Sequence, residues 1–83
     1  MKSLHPERRT AMREYIVRRH FIRLENGEHE VADATYNTKE YAERIFNSWN
    51  VGDVYANVKM LGMALIEVDL QHGLTKTIAT KGE

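Results

Sequence analysis

The sequence contains no cysteine and only one proline in 83 residues. The absence of cysteine excludes disulfides, thiolate metal sites and cysteine nucleophiles, and it fits a reducing compartment. The length allows one domain, and the core of so short a chain supplies little stability by itself. We therefore expect association with a further chain to contribute support.

Long apolar runs are also missing. The longest, Met60–Ile66, has seven residues and includes a glycine, whereas a membrane span needs about 20. Residues 1–13 have no apolar segment of the kind found in a secretory signal. These features predict a cytoplasmic protein with no membrane partner.

The formal net charge is zero, but the charges are unevenly distributed. Residues 1–23 carry seven basic and two acidic side chains, so this segment has a charge of +5 and the remainder has −5. Two copies of the chain, or one copy and an acidic partner, can complement such a dipole.

One helix is predicted after residue 36. Asn37 can cap its first turn, and Glu40 can reach back to the cap in a capping box. Gly52 is a stop signal, so the helix should end near Asn50. Its apolar stripe follows the helical period. The residues of the stripe are Tyr41, Ala42, Ile45, Phe46 and Trp49.

A first hairpin is predicted before the helix. Asn26-Gly27 favours a two-residue turn, and the resulting register pairs residues whose numbers sum to 53. This register places Arg23 opposite Glu30 and His20 opposite Asp33. A helix over residues 6–24 fails because its apolar residues would point in all directions.

Two further turns are predicted after the helix. A three-residue loop at Met60–Gly62 would pair residues whose numbers sum to 122, such as Val58 with Ala64. His72-Gly73 would place Asp69 opposite Lys76 and begin a weaker final strand that runs from Leu74 to Thr80.

This element order predicts an α+β fold in which one helix crosses a small antiparallel sheet of two hairpins, with a fifth strand at its end. Residues 1–83 form one domain, with a basic tail or helical turn at 1–12 and the α+β core at 13–80. The hairpin with Asn26-Gly27, the crossing helix from Asn37 to Trp49 and the second hairpin resemble the β-grasp roll of ubiquitin-like and immunoglobulin-binding domains. This resemblance in element order covers roughly residues 15–70 and implies no functional residue.

Both faces of the predicted sheet carry apolar side chains, although one short helix covers only one face. An exposed apolar patch on a small protein usually marks a contact surface. Either a partner, including a second copy, covers the second face, or the N-terminal segment does so with Leu4 and Met12. The predicted partner-binding residues are Ile16, Ile22, Leu24, Val31, Leu61, Met63 and Leu65.

Arginines interleaved with Tyr15 and Phe21 form a second candidate surface, because such surfaces neutralise phosphates and stack bases. The alternatives are ion pairs with neighbouring acids and docking to an acidic protein surface. The predicted nucleic-acid-binding residues are Arg8, Arg9, Arg13, Arg18, Arg19 and Arg23.

Catalytic and metal groups give only weak signals. His20 opposite Asp33 lacks a nucleophile, because Ser3 and Ser48 are not placed beside it. The side chains of Glu67, Asp69 and His72 could converge on a hard cation, but exposed groups of this kind are usually solvated. The sequence thus predicts no enzyme, no cofactor and no metal.

The sequence therefore predicts a small non-enzymatic interaction module, such as an inhibitor, adaptor or accessory subunit. It would act on another protein or on its own copy as a homodimer, and the alternative is a nucleic-acid-binding protein. The size and composition would suit a protein from a bacteriophage or another mobile element.

Overall fold

The computed structural model describes residues 12–82, and the basic tail or helical turn predicted at residues 1–12 falls almost wholly outside them. The described chain contains one helix, α1, and five strands. Their bounds are β1 (Arg13–Arg23), β2 (His29–Tyr36), α1 (Lys39–Ser48), β3 (Val54–Tyr55), β4 (Val58–Asp69) and β5 (Leu74–Gly82).

The five strands form one sheet in which every pairing is antiparallel. β2 pairs with β1, and β1 pairs with β4. The other edge of β4 pairs with β3 at Val58 and Lys59 and with β5 from Gly62 to Asp69. A helix on an antiparallel sheet confirms the α+β class, and the β-grasp resemblance stays a prediction.

Helix α1 begins one residue later than the sequence predicts. Thr38 is the N-cap, and its hydroxyl accepts a hydrogen bond from the amide of Tyr41 at 3.2 Å. The capping role therefore falls on Thr38 and not on Asn37. The helix ends at Ser48, because Trp49 already has an extended backbone.

The core lies between α1 and the sheet. Ala42 and Phe46 of the predicted stripe are buried there, and Ile45 and Trp49 pack against its margin. Tyr41 remains exposed and makes an edge contact with Tyr36. The buried residues of this cluster are Tyr15, Val17, Ala42, Phe46, Met60, Met63 and Leu65.

The first hairpin has a longer loop and a different register from those predicted. The amide of Gly27 donates to the carbonyl of Arg23, which closes a four-residue loop that ends with Gly27 in the left-handed region. The paired residues therefore sum to 51, as in Tyr15 with Tyr36. A shift of two residues leaves every side chain on its predicted face, because the side-chain period of a strand is two.

The second hairpin turns at a different place. The chain reverses at Ala56-Asn57, because Val54 pairs with Lys59. The predicted loop Met60–Gly62 instead lies inside β4, where β1 pairs along one edge and stabilises an uninterrupted strand. The pairing of Val58 with Ala64 is thus wrong.

The last hairpin has the same loop length as the first. The amide of Gly73 donates to the carbonyl of Asp69 across residues 70–73. Asp69 accordingly pairs with Leu74, and the predicted pairing with Lys76 is wrong. The predicted final strand is confirmed as β5 and extends to Gly82.

Candidate interaction surface

The strand register assigns each side chain to one of two faces, because directly opposed residues of antiparallel strands share a face. We call the face that packs against α1 the helix face. Its core row is Ala34, Val17, Leu65 and Ala79. We call the opposite face the open face, since no helix or strand among residues 12–82 packs on it.

The open face has an apolar centre with polar edges. Its central row runs across four strands as Thr35, Ile16, Ile66 and Thr77. The next row begins with the ion pair of Asp33 and Arg18. The apolar side chains of the open face are Ile16, Ile22, Val31, Val54, Ala64, Ile66 and Val68.

Three of the predicted partner-binding residues, Ile16, Ile22 and Val31, lie on the open face. Leu24 lies outside the sheet, in the exposed β1–β2 loop. Leu61 is half-buried at the irregularity in β4 opposite His20 and Phe21.

The prediction that Met63 and Leu65 bind a partner is wrong, because both residues are buried. Their side chains are 2% and 1% exposed and belong to the core under α1. The sequence pattern assigned them to the second face because the predicted loop paired β4 with the wrong neighbour. In the structure, Val17 lies directly opposite Leu65, and both strands place these residues toward α1.

Sequence reasoning missed the apolar residues that replace them. Val54, Ile66 and Val68 were not among the predicted partner-binding residues, but the register places them on the open face. Successive residues of β4 do alternate between the two faces of the sheet, but both sets of alternate positions contain apolar residues. Only the pairing with β1 distinguishes the two faces.

The main charged pair of the open face is Arg18 with Asp33. The guanidinium donates through Nε and Nη2 to the two carboxylate oxygens, at 2.9 Å each. These hydrogen bonds lower the pKa of Asp33 and raise that of Arg18. Because both side chains are over a third exposed, the pair contributes little stability and leaves the local charge neutral.

The remaining described arginines do not form one basic cluster with Arg18. Arg13, Arg19 and Arg23 alternate with it and lie on the helix-face side of β1. Arg13 pairs with Glu67 and Arg23 with Glu30, so two of them are partly neutralised. Arg8 and Arg9 lie outside the described residues.

Arg19 packs on aromatic rings at the margin of the core. Its guanidinium carbon lies 5.0 Å from the ring centroid of Trp49 and 5.8 Å from that of Phe21. These are cation–π distances, so this arginine helps to hold the end of α1 on the sheet. The predicted nucleic-acid surface is therefore divided between two faces.

The side chains of Tyr15, Glu67 and Arg13 form a hydrogen-bonded group at the edge of the helix face. The hydroxyl of Tyr15 donates to Glu67 at 3.2 Å, and Arg13 donates to the same carboxylate oxygen at 3.4 Å. Burial raises the pKa of Tyr15, and the neighbouring carboxylate raises it further.

The pair considered for catalysis is separated, whereas two of the groups considered for metal binding are in contact. His20 lies opposite Val31, and Arg18 takes the predicted place of His20 beside Asp33. His72 Nδ1 lies 2.9 Å from Asp69 Oδ2, and this hydrogen bond lowers the pKa of Asp69. Within residues 12–82, no group of three or more histidine, cysteine or acidic side chains could hold a metal ion.

An open cleft of about 590 Å³ lies where the start of α1 approaches the β4–β5 loop. Lys39 and Arg13 line it together with Glu40 and Asp69, so it has no predominant charge. The cleft therefore indicates no ligand class.

Comparison with protein-family models, curated proteins and solved structures finds no match to this chain. In the part of the chain that the structure describes, no helix is long and apolar enough to cross a membrane.

Proposed function

We propose that this protein is a non-enzymatic interaction module whose open face covers an apolar surface of a partner protein. Such a module would work as an inhibitor, adaptor or accessory subunit. The observation that carries the proposal is the apolar centre of the open face, built around Ile16 and Ile66, with no facing element among residues 12–82. Ile66 itself is only 8% exposed, but Val31 and Val54 on the same face are 56% and 54% exposed. Exposed apolar side chains grouped on one face of a small protein usually mark a contact surface.

The chemistry of the open face supports a protein partner over a nucleic acid. Its central row is apolar, and Asp33 neutralises its arginine, Arg18. Binding to phosphates requires unpaired positive charge, which this arrangement does not concentrate. The threonines at both edges of the central row provide the polar rim typical of a protein interface.

The test introduces a charge on the open face and compares it with the same charge elsewhere. We expect Ile22→Lys to remain folded but to lose proteins that the wild type retains after reversible cross-linking in the source cell. Leu74→Lys is the matched control, because Leu74 is 64% exposed and lies on the helix-face side of the sheet. It should retain the same proteins as the wild type.

Equal retention by wild type, Ile22→Lys and Leu74→Lys would contradict the proposal. Circular dichroism must show that both variants are folded, so that loss of retention reports on the surface. Retention of nucleic acid that falls steeply with salt would favour the alternative function.

A further inference from the structure

We propose that two copies of this chain associate through the outer edge of β2, which joins their sheets into one continuous antiparallel sheet. The contact is made by the backbone groups along the edge of β2, which borders the open face, and not by the apolar centre of that face. The two proposals can therefore fail independently. Three features of β2 favour this association: the hydrogen-bonding direction of its backbone, the absence of features that block its edge, and the side chains that a twofold axis would oppose.

The backbone groups of β2 alternate between β1 and the outer edge. The amide of Arg23 donates to the carbonyl of Glu28 at 2.7 Å, which fixes the residues that face β1. The ladder continues without a register shift. Alternation therefore directs the amides and carbonyls of four residues outward, and none of residues 12–82 pairs with them. These residues are His29, Val31, Asp33 and Thr35.

The opposite edge of the sheet shows how an edge strand is protected from pairing. β5 carries Lys76 and Lys81, and its pairing with β4 shifts near Ile78. Lysines and bulges are features that prevent edge-to-edge association. β2 has no lysine, proline or bulge in its eight residues.

The acidic residues of β2 do not repel a second copy strongly. Asp33 is paired with Arg18, and Glu30 is paired with Arg23 at 2.6 Å. Both partners belong to β1 of the same chain. The edge is therefore close to neutral along its length.

A twofold axis perpendicular to the sheet opposes residues of the same face. An axis at Val31 places this valine against its own copy and His29 against Asp33 of the second copy. An axis at Asp33 would oppose two carboxylates, and an axis at Ala32 would oppose Val31 to Asp33. Of these three registers, only the first matches apolar with apolar and polar with polar among the outward residues Val31, His29 and Asp33, which cross-strand pairs favour. On the helix face the same register opposes Glu30 to Ala32, and Arg23 of the same chain pairs with this glutamate.

The cysteine-free sequence gives a direct test. Directly opposed residues lie at about 5.5 Å between Cα atoms, within the range for a disulfide. Val31→Cys should therefore form a disulfide-linked dimer under mild oxidation at least tenfold faster than Val54→Cys. The control is matched because the two valines are 56% and 54% exposed on the same open face, while Val54 lies on β3 and not on β2.

The noncovalent protein gives a second test by light scattering. The mass of the wild type should rise with concentration toward that of a dimer. Val31→Pro should remain monomeric, because proline removes an outward amide without removing a hydrogen bond to β1. Ile22→Lys should dimerise as the wild type does.

Three outcomes would overturn the proposal. The first is equal cross-linking of Val31→Cys and Val54→Cys. The second is a wild type that stays monomeric at millimolar concentration. The third is a dimer that persists in Val31→Pro but is lost in Ile22→Lys, since that dimer would form through the open face.

Discussion

The helix face and the open face belong to the same strands, and both have apolar residues at alternate positions. On the helix face, α1 buries Val17, Met63 and Leu65 completely or almost so. On the open face, no described element covers Ile16, Ile22 or Val31. Apolar alternation alone therefore does not identify a core, because a core also requires an element to pack against it.

The largest expected difference is between a leucine of the helix face and a leucine in the exposed β1–β2 loop. Leu65→Ala should cost about 2–5 kcal/mol of unfolding free energy, since it leaves a cavity beneath α1. Leu24→Ala should cost no more than about 0.5 kcal/mol, because Leu24 is 54% exposed. Urea denaturation measures both losses of unfolding free energy. Equal losses would contradict the difference in burial between the two leucines.

The next largest difference in stability is expected when an alanine on each face is replaced by leucine. Ala42→Leu should destabilise by about 1–3 kcal/mol, because this alanine is fully buried where α1 meets the sheet. Ala64→Leu on the open face should change stability by less than about 0.5 kcal/mol. A large loss in the second variant, measured by the same urea melts, would show that the open face is tightly covered in solution.

A turn that belongs to neither face should give a smaller change of opposite sign. Ala56 has φ of +50°, a left-handed conformation that costs energy for a residue with a Cβ. Ala56→Gly should therefore raise the unfolding free energy by about 0.5–1 kcal/mol. Thermal melting measures the gain, and an unchanged or lower melting temperature would contradict this explanation.

The smallest expected effects are changes in stability with pH. A residue of the open face should act at acid pH and a residue of the helix face at alkaline pH. The lowered pKa of Asp33 contributes stability above its unfolded value, which is lost as pH falls through the folded pKa. The raised pKa of Tyr15 contributes stability below about pH 10, which is lost as pH rises further. For the exposed pair of Arg18 and Asp33, the effect should not exceed about 1 kcal/mol.

Two conservative variants separate these contributions. Asp33→Asn should flatten the acid side of the urea-midpoint profile, and Tyr15→Phe should flatten the alkaline side. Each variant is the control for the other, because the two residues lie on different faces. If either variant changed both ends equally, the pH dependence would not be local.

Much of the local structure was predictable from the sequence. The strand periodicity of β1 and β2, the helical stripe containing Ala42 and Phe46, and the glycine turns at Gly27 and Gly73 are short-range signals. Loop length was less predictable, because Asn26-Gly27 is compatible with a two-residue turn and with the end of a four-residue loop. The resulting error of two residues preserved the faces and so preserved the prediction for Ile16, Ile22 and Val31.

The second half of the sheet was not predictable in the same way. Gly62 resembles a turn residue, but it lies within β4 between His20 of β1 and Gly82 of β5. The pairing of β1 with β4 joins residues more than 30 positions apart, and no local pattern specifies it. The placement of Met63 and Leu65 was therefore wrong.

The sequence by itself determined that this chain lacks thiol chemistry, contains one amphipathic helix and has strands with apolar residues on both sides. These properties follow from residue identity and from interactions within one turn or one hairpin. The tertiary structure decided which apolar side of β4 packs against α1 and that Arg13 pairs with Glu67. Both depend on contacts between distant segments, where the register with β1 selects the face that α1 covers.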